Sequence, residues 1–148
     1  MLARLTETAV RLLDRLNIRN DARNELPVHQ QAGRRGEDDA YFYLRRLGYV
    51  MVARSYRSPR RRGEVDLIGW DGEVLCFIEV KTRTSRDVKP AEAAVDSAKR
   101  RELAGMAREY LRHLPVPVQW RFDGVSVYHG QSSALARIEL FKNAFSVS

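Results

Sequence analysis

The stretch GEVDLIGWDGEVLCFIEVKTR, Gly63 to Arg83, decides the fold. Two runs rich in Val, Ile, Leu, Phe and Trp flank Asp71-Gly72. Asp-Gly between apolar runs is a strong hairpin signal, because glycine adopts the positive φ that a tight turn demands. The spacing therefore predicts two antiparallel strands, EVDLIGW and EVLCFIEVKTR. Successive side chains of a strand point to opposite faces. Glu79 and Lys81 thus share one face, and Val80 points into the other layer. Asp66 interrupts an otherwise apolar strand between Val65 and Leu67. With the turn as hinge, a bulge or twist is expected to bring Asp66 beside Glu79.

Working outward, RSPRRRG (Arg57 to Gly63) reads as a basic loop and YVMVARSY (Tyr49 to Tyr56) as a strand. In GRRGEDDAYFYLRRLGY, Ala40, Tyr43, Leu44 and Leu47 recur at helical spacing, and Gly48 is a natural stop. Downstream, Pro90 to Leu114 reads as a long helix, with Pro90 in its first turn and Pro115 and Pro117 ending it. VQWRFDGVSVYHG then reads as a strand and ARIELFKNAF as a short final one. The order is helix, three strands, helix, two strands. This is an α/β class, with a mixed central sheet flanked by helices.

The first 31 residues look like an extension. Leu2, Leu5, Val10, Leu12, Leu13 and Leu16 give a partial amphipathic helix, and Asn17 to Gln31 reads as a polar linker. Residues 32–148 form the expected domain, and 148 residues suffice for one proper core.

Lys plus Arg number 26 against 19 acids, a net charge of +7. Such a balance suits a polyanion, with nucleic acid first and an anionic membrane surface second. No run approaches the roughly 18 to 20 apolar residues of a membrane span, so no membrane is expected. The lone Cys76 cannot form an internal disulfide, which points to a reducing compartment; within its apolar run it reads as a small core residue. Glu7 and Asp14 break the N-terminal stretch, against a secretory signal. The expected location is the cytoplasm.

Two carboxylates about 4 Å apart repel by roughly 4 kcal/mol at an effective dielectric near 20. Against a total stability of about 5–15 kcal/mol, Asp66 beside Glu79 is not a stabilising choice. A hard divalent cation reverses the sign. Mg²⁺ (or Mn²⁺) suits oxygen ligands, and no His or Cys cluster invites zinc. Lys81 can orient a water or neutralise charge developing on phosphorus. Glu37 lies near the inward stripe of the first helix, with Ala40, Tyr41 and Leu44, and an inward carboxylate needs a partner. The competing readings are a strand-end ion pair for Asp66, Glu79 and Lys81, and a first-turn acid favoured by the helix dipole for Glu37. Glu64 is expected to pair with a nearby arginine. Arg57, Arg60, Arg61 and Arg62 are expected to grip phosphate at the mouth of the site, with Arg83 and Arg86 extending that surface. Tyr41, Tyr43, Tyr49, Trp120, Phe122, Val125 and Val127 read as packing residues, and His29, His113 and His129 receive no role.

The series G-x-x-G-E-x-x-A-x-x-Y-L (Gly33 to Leu44), G-Y (Gly48, Tyr49), G-E-V-D-L-I (Gly63 to Ile68) and F-I-E-V-K-T-R (Phe77 to Arg83) resembles the bacterial YraN-like proteins. These belong to the PD-(D/E)xK restriction-endonuclease-like superfamily and are similar to archaeal Holliday-junction resolvases. The resemblance implies a restriction-endonuclease-like sheet, metal ligation by Asp66 and Glu79, a catalytic Lys81 and an auxiliary acid, Glu37. It places Lys99 on the long helix near the site, as a nucleic-acid contact. The implied function is metal-dependent endonucleolytic hydrolysis of structured or branched DNA. The alternative is a nucleic-acid-binding module that keeps the site without turnover. The implied partner is nucleic acid, DNA ahead of RNA, and the resolvase likeness adds a homodimer.

Overall fold

A computed structural model of the chain describes residues 28–84, 97–129 and 136–146. Its elements are α1 (Val28–Arg46), β1 (Val50–Tyr56), β2 (Val65–Asp71), β3 (Val74–Thr84), α2 (Ser97–Arg112), β4 (Gln119–His129) and β5 (Arg137–Phe145). The N-terminal amphipathic segment, Arg86 and the expected first turns of the long helix from Pro90 lie outside the described residues.

The five strands form one sheet in chain order, β1-β2-β3-β4-β5. All neighbours are antiparallel except β3 and β4, which run parallel. A parallel pair needs a crossover, and α2 lies on it. One helix covers each face. Leu103, Ala104, Met106 and Ala107 of α2 pack with Val65, Ile68, Leu75, Phe77, Phe122 and Phe145. Ala40 and Leu44 of α1 pack with Leu67, Cys76, Ile78, Val80, Val125 and Val127. Along β3 the two sets alternate with the strand's period of two. Phe77 anchors the first core edge-on to Tyr110 and Trp120, at 5.8 and 5.9 Å between ring centroids. Full burial of such a side chain contributes about 1.5–3 kcal/mol. The result is a three-layer α/β domain whose mixed sheet, flanked by helices, is consistent with a restriction-endonuclease-like fold.

Several boundaries differ from the expectation. The first helix begins at Val28, so its backbone takes in the end of the stretch read as linker. It stops where expected: Gly48, at φ 99°, donates to Arg45 O, and Tyr49 N donates to Leu44 O, the paired bonds of a Schellman cap. Because the helix ends at Arg46, Leu47 falls in the turn and is 52% exposed, off the core stripe; Phe42 is buried instead. The hairpin turn sits one residue later than read. Asp71 still pairs with Val74, and Gly72, at φ 60°, opens the turn. The second helix ends at Arg112, and β5 runs nine residues rather than being short. Among the described residues, no helix is long and apolar enough to cross a membrane.

Candidate functional site

The apolar core of the α2 face ends abruptly along β3. Leu75 and Phe77 are followed on the same side by Glu79, Lys81 and Arg83. In the β2–β3 ladder Leu67 pairs with Ile78, so one further step of that register sets Asp66 against Glu79. The backbone ladder stops at Leu67 and Ile78, the residues next to the two carboxylates. Asp66 is 8% and Glu79 7% exposed. Asp66 Oδ2 accepts a hydrogen bond from Val80 N at 2.8 Å.

Two further carboxylates arrive from other elements. α1 presses against β3 at Gly36, where an added Cβ would lie 2.0 Å from Thr82 Oγ1. That close approach carries Glu37 to the sheet end. Gly63, at φ 88°, turns the chain into β2 and delivers Glu64. Ligand oxygens of Glu37, Glu64 and Asp66 all lie within 4.8 Å of one another. Glu64 also meets the sequence expectation, since Arg57 Nε donates to it at 2.8 Å.

Such crowding disfavours ionisation. Burial, then the charge of Glu79, pushes Asp66 up to about 8, against the lowering bond from Val80. Burial and Glu64 likewise hold Glu37 above its ordinary value. Glu79 is taken on one side by cations. Lys99 Nζ donates a short hydrogen bond to Glu79 Oε1, and Lys81 Nζ lies 3.7 Å from the same oxygen. The other oxygen, Oε2, is buried without a hydrogen-bond partner. Burial, then a hydrogen bond with Lys99 and its charge, holds Lys81 below its usual value. Lys99 is held above its own, because the bond to Glu79 and its charge outweigh burial.

The four expected catalytic residues, Glu37, Asp66, Glu79 and Lys81, therefore converge, and Lys99 joins them. The basic loop is more divided. Arg57, Arg60, Arg61 and Arg62 are all exposed, but two of them also have acidic partners. Arg57 pairs with Glu64 at the surface, and Arg61 lies over Gly105 of α2, 3.8 Å from Glu109. Arg83 is 9% exposed with a buried, unpartnered Nε, so it offers no open phosphate contact. Sequence reasoning missed Glu109, which accepts from Ser58 Oγ at 2.7 Å and pins the loop to α2. An acid beside the apolar stripe Leu103, Met106 and Ala107 was its available signal.

The donor set fits a hard divalent cation. It offers clustered carboxylate oxygens, an orphaned buried oxygen on Glu79 and no sulfur or imidazole at the cluster. Comparison with known proteins gives the family. The profile of the uncharacterised protein family UPF0102 matches residues 36–127, a span that holds Glu37, Glu64, Asp66, Glu79, Lys81 and Lys99. A UPF0102 protein of Koribacter versatilis is 49% identical over 143 residues, covering 97% of this chain and 96% of its own. Another from Solibacter usitatus is 48% identical over 116 residues, covering 76% and 84%. A third, from Porphyromonas gingivalis, is 38% identical over 117 residues, covering 79% and 85%. With a matched profile running from Gly36 of α1 to Val127 of β4, and a relative matched almost end to end, the chain belongs to the UPF0102 family.

Proposed function

We propose that the protein is a metal-dependent endonuclease of the PD-(D/E)xK type, hydrolysing phosphodiester bonds of structured or branched DNA. One observation carries the reading: Asp66 and Glu79 oppose each other, buried, beside Lys81, with Glu37 and Glu64 brought in from separate elements. Asp66 and Glu79, assisted by Glu37 and Glu64, would hold Mg²⁺ or Mn²⁺. When bound, the ion supplies Lewis-acid polarisation of a phosphate oxygen and an acidified water. Lys81, depressed by burial and by Lys99, is suited to hold the attacking water and, when neutral, to take its proton. Asp66, by capping Val80 N, fixes the strand that carries both Glu79 and Lys81. The exposed Arg57, Arg60, Arg61 and Arg62 are the phosphate contacts of the loop, with Arg60 and Arg62 the principal ones because Arg57 and Arg61 also face acids. A homodimer would offer two such sites to a branched substrate.

A second reading, a binding module without turnover, is favoured by the lysine on Glu79, which neutralises that carboxylate by itself. A panel of linear duplex, single strand, flap, four-way junction and structured RNA, run with Mg²⁺ or Mn²⁺ against wild type and Asp66→Ala, separates the two. Metal-dependent cleavage lost in Asp66→Ala supports the nuclease. Salt-sensitive binding with no cleavage by the wild type overturns it in favour of the module.

A further inference from the structure

Two cations converge on one oxygen of Glu79 and leave the other bare. Lys99 Nζ hydrogen-bonds Oε1, Lys81 Nζ lies 3.7 Å from it, and Oε2 has no partner. The two lysines come from different elements, Lys81 from β3 and Lys99 from the first turn of α2. Their freedom differs from that of the acid they hold. The Lys99 side chain is 36% exposed, while that of Glu79 is 7% exposed. Lys99 is able to withdraw toward water, and Glu79 is not. A buried carboxylate stripped of its partner is strongly unfavourable, so the metal-free chain needs a cation at this point. A divalent ion that takes the bare Oε2 of Glu79 meets a carboxylate already held by positive charge at Oε1.

Resting on the metal-site reading above, we infer that Lys99 is the built-in counter-cation of the centre: it holds Glu79 while no divalent ion is bound and must yield the carboxylate when one binds. Lys99 is then a positioning residue that sets the ion affinity of the site. It holds Glu79 in place, and it weakens ion binding because its positive charge sits on the same carboxylate. The effect is specific to charge. An arginine at this position would still compete, and a neutral side chain of similar length would not.

The test is a calorimetric titration of the full-length protein with Mn²⁺ alone, without nucleic acid, comparing wild type, Lys99→Met and Lys99→Arg. Thermal unfolding with and without Mn²⁺ is read alongside. Lys99→Met is expected to bind Mn²⁺ on the order of tenfold more tightly than wild type, in the range of ordinary coupling between sites. Its metal-free melting temperature falls, because Glu79 loses its nearest partner, and the rise on adding Mn²⁺ exceeds that of wild type. Lys99→Arg stays near the wild-type affinity. Should Lys99→Met fail to fold, Lys99→Gln keeps a hydrogen-bond donor for Glu79, drops the charge and reports the same affinity change. If wild type binds Mn²⁺ and the neutral variants bind it equally or more weakly, the counter-cation role is overturned and the metal site stands. If neither wild type nor the neutral variants bind Mn²⁺, the metal-site reading falls and this inference with it.

Discussion

Asp66 Oδ2 accepts the backbone N–H of Val80 at 2.8 Å, so the acid that faces Glu79 also fastens the residue between Glu79 and Lys81. Two roles meet in one side chain, and substitution separates them. Asp66→Asn keeps an oxygen acceptor for Val80 N and cannot ionise against Glu79. Asp66→Ala leaves a buried amide unsatisfied, at a cost of about 1–3 kcal/mol. The metal-free Asn variant is expected to melt at or above wild type and the Ala variant clearly below it. Both lose Mn²⁺ binding. An Ala variant as stable as wild type would show that the Val80 bond contributes nothing to the fold.

The same crowding makes stability depend on pH. Burial, and then the charge of Glu79, pushes Asp66 up to about 8 in the folded chain, against 3.8 for an ordinary aspartate. A folded pKa above the unfolded one gives stability that is fully present below the unfolded value and is lost as pH rises through the folded value. The melting temperature of the metal-free protein should therefore fall between pH 5 and pH 8.5, by about 5 °C or more. Glu37, raised for the same physical reason, acts in the same direction. Asp66→Asn should flatten most of the slope, which isolates this carboxylate's share. A melting temperature that rises across this window in wild type would contradict the assignment.

How much of this was legible in the sequence depends on how far each contact reaches along the chain. The shared face of Asp66 and Glu79 was readable from the strand period of two, but their register was not: an Asp71-Gly72 turn would set Asp66 opposite Phe77, and the observed turn one residue later shifts the ladder so that it ends at Leu67 and Ile78. Gly48 was readable as a helix stop for a local reason. The pairing of Lys99 with Glu79 was not, since it depends on how the crossover lays α2 over the sheet. Nor was the placing of Arg61 over Gly105 or the burial of Arg83. A run of arginines shows charge, and only packing shows which guanidinium lies across Gly105 or sinks below the surface. Ser58 and Glu109, 51 residues apart, belong to that class too.

Gly36 gives a packing prediction of opposite sign to Gly33. Both lie within α1, where Gly→Ala ordinarily gains up to about 1 kcal/mol of helix propensity. At Gly33 an added Cβ has nothing within 4 Å, so Gly33→Ala should raise the melting temperature. At Gly36 the added Cβ meets Thr82 Oγ1 at 2.0 Å and Thr82 Cβ at 3.3 Å. α1 must then move off β3 and take Glu37 with it. Gly36→Ala should destabilise by roughly 1–3 kcal/mol, as overpacking does, and should weaken Mn²⁺ binding. Adding Thr82→Ala removes the hydroxyl and should restore part of both losses. Equal effects at the two glycines would mean that the helix does not need its close approach to the strand.

The basic loop should divide into binding and structural arginines. Arg60, Arg61 and Arg62 are all exposed, and Arg61 is also drawn toward Glu109, which Ser58 holds. Each exposed contact to duplex DNA releases condensed counterions, so Arg60→Ala and Arg62→Ala should each lower the slope of log affinity against log salt by about one. Neither should move the melting temperature by more than about 0.5 kcal/mol equivalent, as is usual for surface changes. Glu109→Ala should do the reverse of this in order of cause. It leaves the Ser58 hydroxyl without its acceptor and frees the loop, so the melting temperature drops first and affinity follows only through loop disorder. The measurement is fluorescence anisotropy of a labelled duplex over a salt series, paired with thermal melts. A salt slope unchanged in the double variant Arg60→Ala, Arg62→Ala would remove this loop from the nucleic-acid surface and shift attention to Arg100 and Arg101 of α2.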